Sequence, residues 1–163
     1  MAKKLLIAFA AMMFVSIIAL AAVKPDFSGT WTMVPDRSGS PQQSEPISKI
    51  TFVIAQAGDQ IRIESTSGNG KPIVATYPFG PVPKLPAEPL SADQSRAYWQ
   101  GQRLIVERGG TISGQTVSAK QTLSMNADRS ELTVELVVIV QHGYTLRGTP
   151  NYATVTDVFV RAQ

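Results

Sequence analysis

The chain has no cysteine, and His142 is its only histidine among 163 residues. The first absence removes thiol nucleophiles, iron–sulfur ligation and thiolate zinc sites, and with them any disulfide cross-link. The second leaves one imidazole to serve as base in a Ser-His-Asp arrangement, and no serine sits in a G-x-S-x-G elbow or a comparable nucleophile context. One histidine among scattered carboxylates does not make a metal site. Gly68-Asn69-Gly70-Lys71 lacks the spacing and the following helix of a phosphate loop and reads as a hairpin turn. Glu131 and Glu135 share one strand face. At about 3.3 Å per residue they stand roughly 13 Å apart, beyond the ~5–9.5 Å of a glycosidase pair. No cofactor, no metal and no catalytic constellation is expected, so the chain is read as a non-enzyme.

Charge of one sign is also scarce. Lys3 and Lys4 open the chain, Leu5 to Leu20 is almost unbroken apolar sequence, and Ala19-Leu20-Ala21 places small residues where a signal peptidase reads. This order marks residues 1–21 as a Sec-type signal peptide cleaved after Ala21. An uncleaved anchor is the alternative, because the run is near the lower limit of about 17 residues for a span. Of 15 basic and 12 acidic side chains, Lys3 and Lys4 leave with the peptide, so the mature protein carries a net charge of +1. No Lys/Arg run resembles a nucleic-acid or headgroup footprint. No nucleic-acid partner and no stable membrane span after cleavage are expected, and the location is periplasmic or secreted.

Residues 22–163 have the length of one domain. Without disulfides its stability rests on apolar packing and backbone hydrogen bonds, which favours extensive β-structure. Helical spacing is scarce, and periodicity is two nearly everywhere. Strands are read at 30–34, 50–55, 60–65, 72–77, 96–100, 103–108, 116–125, 131–140 and 152–161. Turns are expected at Gly58-Asp59, at Asn69-Gly70 with the positive φ of a tight hairpin, at Gly101-Gln102, from Gly109-Gly110 to Gly114, and at 126–129. Prolines 78, 81, 83, 86 and 89 exclude continuous helix or paired strand there, leaving a surface connection, a lid or a crossing loop. The strand 131–140 alternates most cleanly, with Leu132, Val134, Leu136, Val138 and Val140 on one face. Eight or nine strands in succession, with no crossover helix, make an all-β antiparallel up-and-down meander closing into a barrel, which removes exposed edges. A β-sandwich is the alternative.

Gly29-Thr30-Trp31 resembles the G-x-W at the first strand of lipocalin-like barrels. That resemblance implies a structural pair at one barrel end, with Trp31 packed against an arginine near the last strand, here Arg161. The fuller opening Asp26-Phe27-Ser28-Gly29-Thr30-Trp31, with the hairpin Trp99-Gln100-Gly101-Gln102-Arg103-Leu104-Ile105-Val106-Glu107, resembles a group of uncharacterised exported bacterial proteins. The lipocalin T-D-Y turn, cysteine pair and C-terminal helix are missing, and Thr156-Asp157 falls inside the final strand. Tyr77, Phe79, Tyr98, Trp99 and Tyr144 lie beside the proline-rich stretch or the 141–151 loop. If those loops share a mouth, these rings line a pocket for a small hydrophobic or amphipathic ligand; otherwise they are core and rim residues. The competing expectation is a structural or interaction module that uses its surface, or residues 78–89, to hold an envelope protein.

Overall fold

The computed structural model describes residues 23–39, 48–84, 90–112, 114–140 and 152–162. The expected signal peptide, His142 and Tyr144 lie outside the described residues. No helix among the described residues is long and apolar enough to cross a membrane.

Nine strands follow in order: β1 (Gly29–Met33), β2 (Ile50–Gln56), β3 (Gln60–Ser67), β4 (Ile73–Pro78), β5 (Ser95–Gln100), β6 (Arg103–Ile112), β7 (Gln115–Met125), β8 (Glu131–Val140) and β9 (Tyr152–Arg161). They form one sheet in the order β4-β3-β2-β1-β9-β8-β7-β6-β5, and each ladder is antiparallel. The two outer strands, β4 and β5, then meet. Phe79 forms a parallel bridge with Ala97, the Gly80 N–H donates to the Ala97 carbonyl at 2.8 Å, and Ser95 Oγ donates to the Thr76 carbonyl at 3.1 Å. The sheet is therefore a nearly closed barrel. β4 and β5 run the same way, so the chain returns between them, and Pro81 and Pro83 in the described part of that connection lie outside any strand.

Two turn expectations need correction. Gly109 and Gly110 do not turn the chain; β6 runs through them to Ile112 and pairs Gly109 with Ser118 and Gly110 with Val117. The reason lies in the returning connection. The Ser91 carbonyl lies against Gly109, where a Cβ would overlap it, and the Gly109 N–H donates to the Gln94 carbonyl at 2.8 Å. In the β3–β4 turn the positive φ belongs to Gly68, at +53°, and not to Asn69-Gly70.

Which face of β2 points inward, open on sequence because both faces are apolar, is settled by its register. Phe52 and Ile54 lie in the buried core with Trp31, Ile63 and Phe159, while Val53 faces outward and is 39% exposed. The core fills one end of the barrel. Phe52 stacks on Phe159 with ring centroids 4.5 Å apart, and Leu104, Leu123, Leu132 and Phe159 are essentially inaccessible. Each such side chain contributes roughly 1.5–3 kcal/mol by leaving water, which is how the barrel holds without disulfides.

Candidate functional site

The sequence Asp26-Phe27-Ser28-Gly29-Thr30-Trp31 builds a cap over the packed end. Asp26 Oδ1 accepts from the Ser28 N–H at 2.9 Å, turning the chain, and these bonds from Ser28 hold the Asp26 carboxyl below its ordinary range. The turn drops Phe27 into the barrel end, fully buried. Its carbonyl accepts from Trp31 Nε1 at 2.9 Å, and its N–H donates to Gln56 Oε1 at 3.2 Å. Trp31 is paired with Arg161 across β1 and β9. The Arg161 guanidinium lies 4.3 Å from the centre of the indole and donates to the Ser28 carbonyl at 2.8 Å. Gly29 has a φ of +132°, which strains any residue with a Cβ, and a Cβ there would stand 2.6 Å from Arg161 Nη1 and displace it. The cap is a structural lock.

Three of the aromatic candidates come together beside this cap. Phe79 and Trp99 are stacked at 6.1 Å, Trp99 also meets Phe27 at 6.0 Å, and Tyr77 belongs to the same core. Lys24 Nζ lies 5.4 Å from the Trp99 ring. Outside this stack a recess of about 340 Å³ is lined by Lys24, Gln56, Ala57, Gly58, Phe79, Gly80 and Trp99. Tyr98 is elsewhere: alternation along β5 puts it on the opposite face from Ala97 and Trp99. There its hydroxyl donates to Glu107 Oε1 at 3.0 Å, and Arg96 Nε donates to the other oxygen of Glu107. Burial and the Glu107 carboxylate push the Tyr98 phenol up to about 12. β8 ends at Val140 and β9 begins at Tyr152, while Arg161 closes β9 beside Trp31; Tyr144, between them in sequence, lies outside the described residues.

Above the packed end the inner face changes character. Ladder registers place Leu136, Gln121 and Val106 in one inward row, and Val138, Ala119, Arg108 and Ser95 in the next. On β9 the inward residues are Ala153, Val155, Asp157 and Phe159, facing Val138, Leu136, Val134 and Leu132. On the far wall Ser65 faces Ile73, which is inward yet 65% exposed. Leu136, Val138 and Val155 remain half-exposed although they face the interior. The result is a cup: an aromatic and aliphatic floor, then aliphatic walls interrupted by Ser65, Ser95, Arg108, Gln121 and Asp157. The Arg108 charge acts on Tyr77, opposing the burial that pushes the Tyr77 phenol up. Among the described residues no three His, Cys, Asp or Glu side chains are grouped to hold a metal ion.

No family model matches the chain and no curated protein is similar to it in sequence. Among solved structures, the wild-type fluorescent protein UnaG superposes with a TM-score of 0.51 at 16% identity, covering 83% of this chain and 97% of UnaG. The fold is a lipocalin-like β-barrel. Zebrafish ileal bile acid-binding protein complexed with cholic acid gives a TM-score of 0.45 at 10% identity over 83% of this chain and 98% of that one. The Echinococcus granulosus fatty-acid-binding protein 1 gives 0.41 at 11% identity over 84% and 98%. Within this barrel the polar residues of the cup wall are the ones sequence reading missed. In sequence Asp157 stands out only as part of a Thr-Asp pair inside the final strand. Its signal was parity: it shares a face with Phe159 and Arg161, so an inward Arg161 makes Asp157 inward too.

Proposed function

We propose that this barrel binds a small apolar or amphipathic molecule in the less buried half of its interior, that it works outside the cytoplasm as an exported protein, and that it carries out no chemistry on its ligand. The observation that supports this reading is the division of the inner face. One half is packed to inaccessibility. In the other, Leu136, Val138, Val155 and Ile73 face inward and keep water contact. A protein stabilised only by packing forgoes about 25 cal/mol for each Å² of apolar surface it leaves uncovered, and ligand sites are where such surface collects, with a few polar groups to orient the guest. The test is native mass spectrometry of the mature protein purified from its own envelope. A mass excess that organic extraction removes and the extract restores supports the reading. A bare mass, with tryptophan fluorescence unmoved by lipids and small hydrophobes, refutes it.

A second reading, an interaction module of the envelope, is favoured by a different surface. Val53 and Val74 stand in one outward row with Glu64 between them, 39% and 46% exposed. Beside them residues 73–75 of β4 have no strand partner other than β3 among the described residues. An extended segment of another protein adds to such an edge. Charged substitutions at Val53 and Val74 that release a co-purifying envelope protein, while leaving small-molecule binding intact, would favour this reading.

A further inference from the structure

Asp157 is an anomaly in the wall of the cup. It faces Val134 across the β8–β9 ladder, with Val155 and Phe159 as its inward neighbours on β9. Its Oδ1 is enclosed by protein and accepts no hydrogen bond among the described residues. The segment beside it offers little: Gly39 bridges to Thr156, and only the Gly39 backbone N–H favours the charged carboxylate. Burial outweighs it, lifting the carboxyl above its ordinary range. The three ion pairs among the described residues use Glu131, Glu64 and Glu107, so no cation is spent on Asp157. An enclosed acceptor left idle destabilises a fold, and folded proteins leave few such groups unpaired.

We propose that Asp157 is the specificity-determining residue of the cup: its carboxyl turns from the packing that encloses Oδ1 toward the cup and accepts there from a hydrogen-bond donor, a hydroxyl or a protonated amine, carried by an otherwise apolar ligand. The inference rests on the inner half being the binding site. The donor supplies the bond that Oδ1 lacks, and an amine also supplies the missing countercharge. A carboxylate supplies neither and meets a second carboxyl, so ligands of equal chain length separate by head group.

The experiment uses the mature protein and three probes with one twelve-carbon chain, 1-dodecanol, dodecylamine and dodecanoate, titrated below their aggregation limits and read by displacement of an anilinonaphthalene dye. The alcohol and the amine are expected to bind about tenfold tighter than dodecanoate, the worth of one hydrogen bond to a buried partner. Asp157→Leu is expected to abolish that preference and leave dodecanoate binding unchanged or improved. Asp157→Asn keeps the acceptor and is expected to retain the alcohol while losing the extra affinity for the amine. The leucine variant is also expected to melt about 2–4 °C higher, since the orphaned oxygen is gone; a residue kept for structure would melt lower when removed. If Asp157→Leu leaves all three affinities as they were, or if it melts lower, the inference is overturned while the cup stands. If neither the dye nor any probe binds the parent protein, the cup itself fails and the inference goes with it.

Discussion

Replacing Gly29 with alanine should loosen the whole capped end. The alanine side chain meets two obstacles. The backbone φ of +132° is one that L residues adopt only under strain, about 1–3 kcal/mol. The new Cβ also stands 2.6 Å from Arg161 Nη1, so the guanidinium must shift over Trp31. Its bond to the Ser28 carbonyl, about 1 kcal/mol, and its contact with the indole, roughly 0.5–1 kcal/mol, are weakened by that shift. The total is about 3 kcal/mol, a large share of the ~5–15 kcal/mol that holds a domain together, and it corresponds to a melting point lower by about 6–12 °C. Urea unfolding followed by tryptophan fluorescence reads the change through Trp31 itself. The double variant Gly29→Ala with Arg161→Ala should lose less than the two single losses combined, by about 1 kcal/mol, because the clash disappears with the guanidinium. A Gly29→Ala protein within about 0.5 kcal/mol of the parent, the usual scatter of an innocuous substitution, would refute this account of the cap.

Other consequences follow from the same geometry. Gly109→Ala should cost about 1–3 kcal/mol, because the obstacle is the Ser91 backbone, which cannot rotate aside; limited proteolysis of residues 90–94 should accelerate in the variant. In an ultraviolet pH titration one tyrosine, Tyr98, should ionise only near pH 12, and Glu107→Gln should bring that step down toward the ordinary phenol range. Asp157 carries a folded-state value above the 3.8 of an ordinary aspartate. Its contribution to stability is therefore present below pH 3.8 and is lost as the pH rises from there through the raised value. Urea midpoints compared across this window should show the parent losing stability relative to Asp157→Asn as the pH climbs; a constant difference would mean that Asp157 titrates normally.

What the sequence made legible was what depends on alternation and local turn chemistry. Leu132, Val134, Leu136, Val138 and Val140 mark β8 unambiguously, since every second residue is aliphatic, and the absence of any crossover helix leaves antiparallel neighbours everywhere but at the parallel β4–β5 closure. Ile50 to Ala55 resisted a choice of face, because a run apolar on both sides carries no parity; its inward set was decided by pairing with Trp31 and Ile63. Gly109 and Gly110 looked like a turn because glycine marks both turns and close approaches, and the approach of Ser91 comes from a distant part of the chain. Trp99 and Tyr98 looked equivalent beside one loop, although neighbours in a strand point to opposite faces. Asp157 hid among Thr154 and Thr156, where a polar residue in a polar-looking strand draws no notice until the register shows which side it is on. The cup, assembled from β3 through β9, has no contiguous motif at all.

The most direct test of the binding account is to locate a guest inside the barrel by nuclear magnetic resonance of methyl-labelled mature protein, titrated with the material extracted from its own envelope or with 1-dodecanol. The account predicts that the methyl signals of Leu136, Val138, Val155 and Ile73 shift and saturate together, while those of Leu104 and Leu132 in the packed floor move little. Signals that stay still throughout the titration, or shifts confined to Val53 and Val74 on the outer face, would contradict it.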